Sequence, residues 1–220
     1  MKFKYVVIVL SLVGLCILYL ISGLSQPPVI SLSQVPLNEG KQIMVIGVVT
    51  MHQATDYGNQ FITIRDVDSQ NFTTVTLYVT GVASVDYGDV IQATGVVQQY
   101  NNNWEVTINS PQGIAILQHW QNHSFPVWQL ARNPMKYVDT NVNVTGVVTI
   151  LSATGFSLSD TEGTYLIWVS CDSSEIPPLK SGDEVAVRAR FVYDDTALRY
   201  LLKIIDDTQE VMLRGGEDTA

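Results

Sequence analysis

The chain is poor in cysteine, in cations and in charge of any kind. Its two cysteines are Cys16, inside an apolar run, and Cys171, so no disulfide framework is available within the chain. Lys and Arg number 12 against 21 Asp and Glu, a formal net charge of -9. That balance argues against a generic phosphate-neutralising surface, because nonspecific nucleic-acid binding is driven by clustered cations, and an anionic ligand needs a local basic patch. Histidine occurs only as His52, His119 and His123. Two imidazoles four apart, without a thiolate or carboxylate third ligand, make a poor zinc site, so no metal or other cofactor is expected. The sequence also lacks a G-x-S-x-G elbow, an H-E-x-x-H motif, a phosphate-cradling glycine loop and a reactive Cys with a nearby base. The acidic pairs Asp66/Asp68, Asp194/Asp195 and Asp206/Asp207 fall at turns or strand ends, where solvation explains them. No catalytic residue is assigned, and the chain is read as noncatalytic.

What is present is apolar: 46% of the 220 residues are hydrophobic and 15% charged, enough for one or two compact domains. From Tyr5 to Ile21 there is no charge, and residues 3–24 approach the roughly 20 residues that span a bilayer. Lys2 and Lys4 precede this run and no Lys or Arg follows until Lys41. The positive-inside bias therefore predicts a single-pass protein of the cell membrane, N-terminus cytoplasmic and the remainder extracytoplasmic. Ser22, Gly23 and Ser25 also allow residues 1–24 to be a cleaved signal peptide, although the run exceeds a usual signal core. Residues 25–40 hold three prolines and little charge, which predicts an extended stalk. Asn71-Phe-Thr, Asn122-His-Ser and Asn143-Val-Thr match the glycosylation acceptor pattern, usable on the exported side.

An internal repeat organises the rest. Val45-Ile-Gly-Val-Val-Thr50 recurs as Val144-Thr-Gly-Val-Val-Thr149, Phe61-Ile-Thr-Ile-Arg-Asp66 corresponds to Gly155-Phe-Ser-Leu-Ser-Asp160, Leu77-Tyr-Val79 to Ile167-Trp-Val169, and Tyr87-Gly-Asp89 to Ser181-Gly-Asp183. After each Gly-Asp turn a run alternates with strand period: Ile91, Ala93, Gly95 and Val97 match Val185, Val187, Ala189 and Phe191. A last strand follows the turn-like Asn101-Asn-Asn103 in one repeat and Asp194-Asp-Thr196 in the other. The prediction is all-β: two consecutive five-stranded barrels, residues 41–117 and 140–213, after an N-terminal transmembrane helix. Residues 118–139 form a linker with a short helical turn before Asn133-Pro134, and residues 214–220 a flexible tail.

Five short strands with a mid-strand glycine in the long first strand (Gly47, Gly146), followed by I/L-x-D and G-D, resemble the oligonucleotide/oligosaccharide-binding (OB) fold. The resemblance implies binding across the outer face of strands 2 and 3 and through the loops joining strands 1–2 and 4–5. Alternation then turns Phe61, Thr63, Arg65, Thr76 and Tyr78 outward, with Phe61 and Tyr78 able to stack bases or sugars and Arg65 beside them. Trp168 matches Tyr78. Arg188 and Arg190 point outward near Arg199 and Lys203, the one local cluster able to meet phosphates, and Trp104 beside a turn is a loop contact. Packing between the barrels is the competing account of the aromatics, and edge solubilisation that of the arginines.

These residues predict a noncatalytic binding protein, with single-stranded nucleic acid as the ligand class the resemblance implies. The alternative is an envelope interaction or scaffold module with a protein partner. An anchored extracytoplasmic OB-type barrel is also similar to the haem chaperone of cytochrome c maturation, whose haem-attaching His follows the barrel and precedes a Tyr by four residues. His119 has that place, with His123 where the Tyr stands.

Overall fold

The structure is a computed structural model that describes residues 2–24, 27–67, 73–171 and 178–214, with side chains in the N-terminal helix described at residues 4, 5 and 7–19. The sequon at Asn71, Asp68, residues 25 and 26 of the expected stalk and residues 215–220 of the expected tail lie outside the described residues. From Tyr5 to its last described side chain, Tyr19, helix α1 (Lys2–Leu24) is apolar apart from Ser11, and Ile8, Leu10, Leu15 and Leu18 each expose more than half of their surface. Among the described residues no helix is long and apolar enough to cross a membrane. The uncharged sequence of α1 runs past its last described side chain, Tyr19, to Leu24.

The first barrel contains β1 (Gln42–Ala54), β2 (Gln60–Arg65), β3 (Thr74–Val79), β4 (Val90–Tyr100) and β5 (Asn103–Ile108). Their order is β1-β2-β3-β5-β4, closed by β1 against β4, with β3 and β5 parallel. A short β6 (Ile114–Gln118) extends the edge of β4. The chain continues through β7 (Ser124–Pro126), helix α2 (Val127–Arg132) and helix α3 (Pro134–Tyr137). The second barrel has β8 (Thr140–Ser152), β9 (Gly155–Ser159), β10 (Leu166–Ser170), β11 (Glu184–Asp194) and β12 (Arg199–Lys203), with β13 (Glu210–Leu213) in the place of β6. Its order is β8-β9-β10-β12-β11, closed by β8 against β11, with β10 and β12 parallel. That shared strand order is the OB topology, so the chain carries two such barrels in tandem. The sixth strand of each repeat was not foreseen in the sequence.

The repeated motifs have local physical causes. A Cβ on Gly47 would lie 2.9 Å from the Arg65 carbonyl oxygen, and one on Gly146 2.5 Å from that of Ser159. Only glycine lets strands 1 and 2 approach this closely at the corner. Each first strand then breaks register, between Val49 and Met51 and between Val148 and Leu151. There the Thr50 hydroxyl donates to the Thr63 carbonyl (3.3 Å) and the Thr149 hydroxyl to that of Ser157 (3.2 Å). In the Gly-Asp turns, Gly88 and Gly182 take φ of 92° and 99°, and each donates its N–H over 2.8 Å to the first strand, at Val49 and Val148. The Asp89 and Asp183 carboxylates accept from the backbone N–H of Asp86 (2.9 Å) and Lys180 (2.7 Å).

Residues 27–40 are not a stalk. Val29 bridges Met44 in parallel, and the 3-10 helix Leu32–Asn38 inserts Leu32 and Val35, both fully buried, into the first core. β7 makes the same parallel contact with β8, and α2 inserts Val127 and Leu130 into the second core. Expected stalk and expected linker are thus one and the same structural part: a strand fragment and a helical plug preceding each barrel. A small barrel leaves apolar interior open at its end, and covering it is favourable by about 25 cal/mol per Å². Leucine and valine at helical spacing supply the cover in both repeats.

Candidate functional site

On the first barrel, Phe61 of β2 and Tyr78 of β3 are directly opposite, with ring centroids 5.3 Å apart. Both are half-buried on the outer face, beside the Thr63–Thr76 pair. Asn59 fixes the Tyr78 ring by donating to its hydroxyl over 2.7 Å. On the second barrel Trp168 is opposite Ser157, and the Arg199 guanidinium lies over its ring at 5.5 Å. Each barrel therefore presents an aromatic platform on the outer face of its third strand, a ring pair on one and a ring with a cation on the other. The positions differ: opposite Ser157, Trp168 holds the place of Thr76, which is opposite Thr63, and the place of Tyr78 falls to Ser170. Asp194 stands opposite Arg199, and N–H groups of Ala197 and Thr196 hold its carboxyl below the usual range.

The other expected site residues sit elsewhere. Arg65 is buried and donates to the carbonyls of Lys136 (2.7 Å) and Val138 (3.1 Å), the orphan acceptors at the end of α3. Burial lowers its pKa against the opposing pull of Asp139, and guanidinium stays charged all the same. Arg190 lies 3.5 Å from the centroid of the Tyr87 ring in the first barrel, its pKa also lowered by burial. Arg188 pairs with Glu210 at 2.8 Å. Trp104 is half-buried and packs against the first core rather than standing out on a loop. Of the expected basic cluster, Arg199 and Lys203 remain exposed.

Arg65, Arg190 and Tyr87 belong to a joint between the barrels. The Asp89 carboxylate, 1% exposed, also accepts the Trp120 N–H at 3.1 Å and stands 3.5 Å from His119 Nδ1. His52 stacks on Tyr87 with centroids 4.5 Å apart. A cavity of about 170 Å³ remains in this joint, lined among others by Val48, Val90, Trp120, Phe125 and Tyr137. The sequence showed Tyr87-Gly-Asp89 as a turn; its second use could have been suspected from Tyr87 alone, since Ser181 holds that place in the other repeat.

His119 and His123 flank a 3-10 turn, Trp120–Asn122, so they do not share the face of an α-helix, and His123 lies against Phe125. Among the described residues no group of three or more His, Cys, Asp and Glu is placed to hold a metal. Asn122 is exposed, whereas Asn143 is buried with its amide donating to the Gln121 carbonyl (2.8 Å), which removes it as a glycan acceptor in the folded chain.

No protein-family model matches the chain, and no curated protein matches it. Among solved structures it is similar to the single-stranded DNA binding protein of Thermus aquaticus, at 15% identity and a TM-score of 0.28, over 81% of this chain and 96% of that one. Fission yeast Pot1 with ssDNA gives 10% identity and 0.30, over 86% and 89%. A murine DNA binding protein bound with ds DNA gives 14% and 0.33, over 82% and 100%. At these identities and scores the likenesses carry no argument about ligand, and the fold stands on the strand order and pairings of the chain itself: two OB barrels in tandem.

Proposed function

We propose that this is a noncatalytic binding protein, held at a membrane by α1 with both barrels outside the cytoplasm, whose outer β-faces stack the bases of single-stranded nucleic acid. The observation that carries the ligand reading is the pair of platforms, Phe61–Tyr78 and Trp168–Arg199, each on the outer face of its barrel with a ring on the third strand, where OB barrels bind. The anchor reading is supported by α1, whose described side chains from Tyr5 to Tyr19 are apolar apart from Ser11 and nearly all exposed: a helix apolar around most of its girth is stable only where something other than water covers it. The asymmetry of Lys2 and Lys4 against the cation-free stretch up to Lys41 supports the orientation.

A protein partner is the second reading, favoured by the net charge of -9 and by the engagement of Arg65, Arg188 and Arg190 inside the molecule. Titrating unstructured oligonucleotides into the detergent-solubilised chain separates the two. Tyr78→Ala and Trp168→Ala should each weaken binding by about 1–3 kcal/mol, the worth of one stacked base. With Arg199 and Lys203 as the exposed cations of the face, the slope of log K against log salt should be no steeper than roughly -1.4 for a single strand. Absence of binding at low salt sinks the nucleic-acid reading and leaves the protein partner.

A further inference from the structure

The passage from α1 to the first barrel is very short. α1 ends at Leu24, and Pro28 already belongs to the barrel: its carbonyl accepts the Met44 N–H (2.9 Å), and the Ile30 N–H returns a bond to the Met44 carbonyl (2.9 Å). From Leu24 to Pro28 the chain spans at most about 14 Å even when fully extended. A headgroup layer is itself roughly 5–8 Å deep, half the difference between the full bilayer and its hydrocarbon core. A barrel on such a tether has no room to stand clear of the surface.

Around that entry point, large apolar side chains are exposed beside the polar Ser31, Ser33 and Gln34. Leu37, on the plug that closes the first barrel, is 79% exposed, and Val29 beside the tether 61%. Tyr100, 61% exposed, ends β4 three residues beyond Val97, whose carbonyl takes the Gly40 N–H just after the plug. Glu39 and Lys41, both exposed, flank the plug with opposite charges, so net attraction to anionic lipid is not what this end offers. Its chemistry is that of an interfacial contact: aliphatic side chains that enter the headgroup region and a tyrosine whose ring is buried while its hydroxyl stays wet.

We infer that the plug end of the first barrel, with Leu37, Tyr100 and Val29, rests in the headgroup layer of a bilayer. The barrel then lies on the membrane in one orientation, and the joint built on Arg65 and Arg190 carries that orientation to the second barrel. The inference rests on α1 being the membrane anchor, and the test keeps the two apart.

The full chain, with Cys16→Ser and buried Cys171 retained, is reconstituted into phosphatidylcholine vesicles with a nitroxide on Leu37→Cys, Tyr100→Cys or, as control, Leu166→Cys on the second barrel. All three side chains are exposed, so the fold tolerates the labels. Flotation and alkaline extraction read the anchor; collision with oxygen against a water-soluble nickel chelate reads the depth. The expected result is severalfold higher oxygen-to-nickel accessibility at Leu37 and Tyr100 than at Leu166. A chain that floats with vesicles but shows all three labels equally open to nickel overturns the membrane-lying barrel while sparing the anchor. A chain that does not float overturns both.

Discussion

The Arg190 guanidinium of the second barrel lies 3.5 Å from the centroid of the Tyr87 ring in the first. A desolvated cation–π pair is worth up to about 2 kcal/mol, more than an exposed strand arginine contributes as a solubilising charge. Arg190→Ala and Tyr87→Ala in a double-mutant cycle should show a coupling of about 1–2 kcal/mol in chemical denaturation. Each variant should also split one unfolding transition toward two, as the barrels uncouple. Additive effects with a single transition retained would remove the pair from the joint.

Leu32 and Val35 have relative exposures of 1% and 0% in the first core. Replacing Leu32 by Ala should cost about 2–5 kcal/mol, the range for a large-to-small change in a packed core. The matching change Leu130→Ala should cost the second barrel a similar amount. A spacer residue would cost next to nothing, so thermal denaturation of Leu32→Ala decides whether residues 27–40 belong to the barrel in solution.

Asp89 and Asp183 occupy the same turn, yet Asp89 is buried and also serves the Trp120 N–H. Asp89→Ala strands two donors and should cost about 2–4 kcal/mol, whereas Asp183→Ala, at a more open turn, should cost about 1 kcal/mol. Equal losses in the two variants would show that the bond to the linker contributes nothing beyond the turn.

His52 is half-buried against Tyr87, and its pKa is lowered chiefly by burial; Asp86 and Asp89 pull it up, and Arg190 pushes it further down. The fold therefore favours the neutral ring. Above about pH 6.5 both folded and unfolded chains hold it neutral, and its contribution to stability is fully present. As pH falls below that value the unfolded chain binds the proton first, and stability is lost until the folded pKa is passed. Denaturant midpoints measured from roughly pH 7.5 down to 5 should fall more steeply for the natural chain than for His52→Gln. Parallel profiles would mean that the ring is not desolvated.

The strands, the Gly-Asp turns and the mid-strand glycines were legible because each depends on neighbours two to four residues away, where period and turn chemistry leave a mark in the sequence. The aromatic positions Phe61, Tyr78 and Trp168 follow from the same alternation, since facing outward is a local property of a strand. The availability of Arg65, Arg188 and Arg190 was not legible. All three face outward from their barrels as alternation demands, but what lies outward is α3, Glu210 and Tyr87.

By itself the sequence determined two repeats of one strand pattern, an acidic chain without catalytic motifs, and an uncharged run long enough to make α1, because composition and short-range periodicity carry those properties. Only the tertiary structure decided that residues 27–40 close a barrel instead of spacing it from the membrane, and that Arg188 and Arg190, half of the basic cluster, bind within the molecule. The physical reason is common to both. Proline and low charge describe a segment's local stiffness and solubility, and alternation describes which way a side chain points. Neither says what a barrel's open end or an outward arginine will meet when a second barrel is folded against the first.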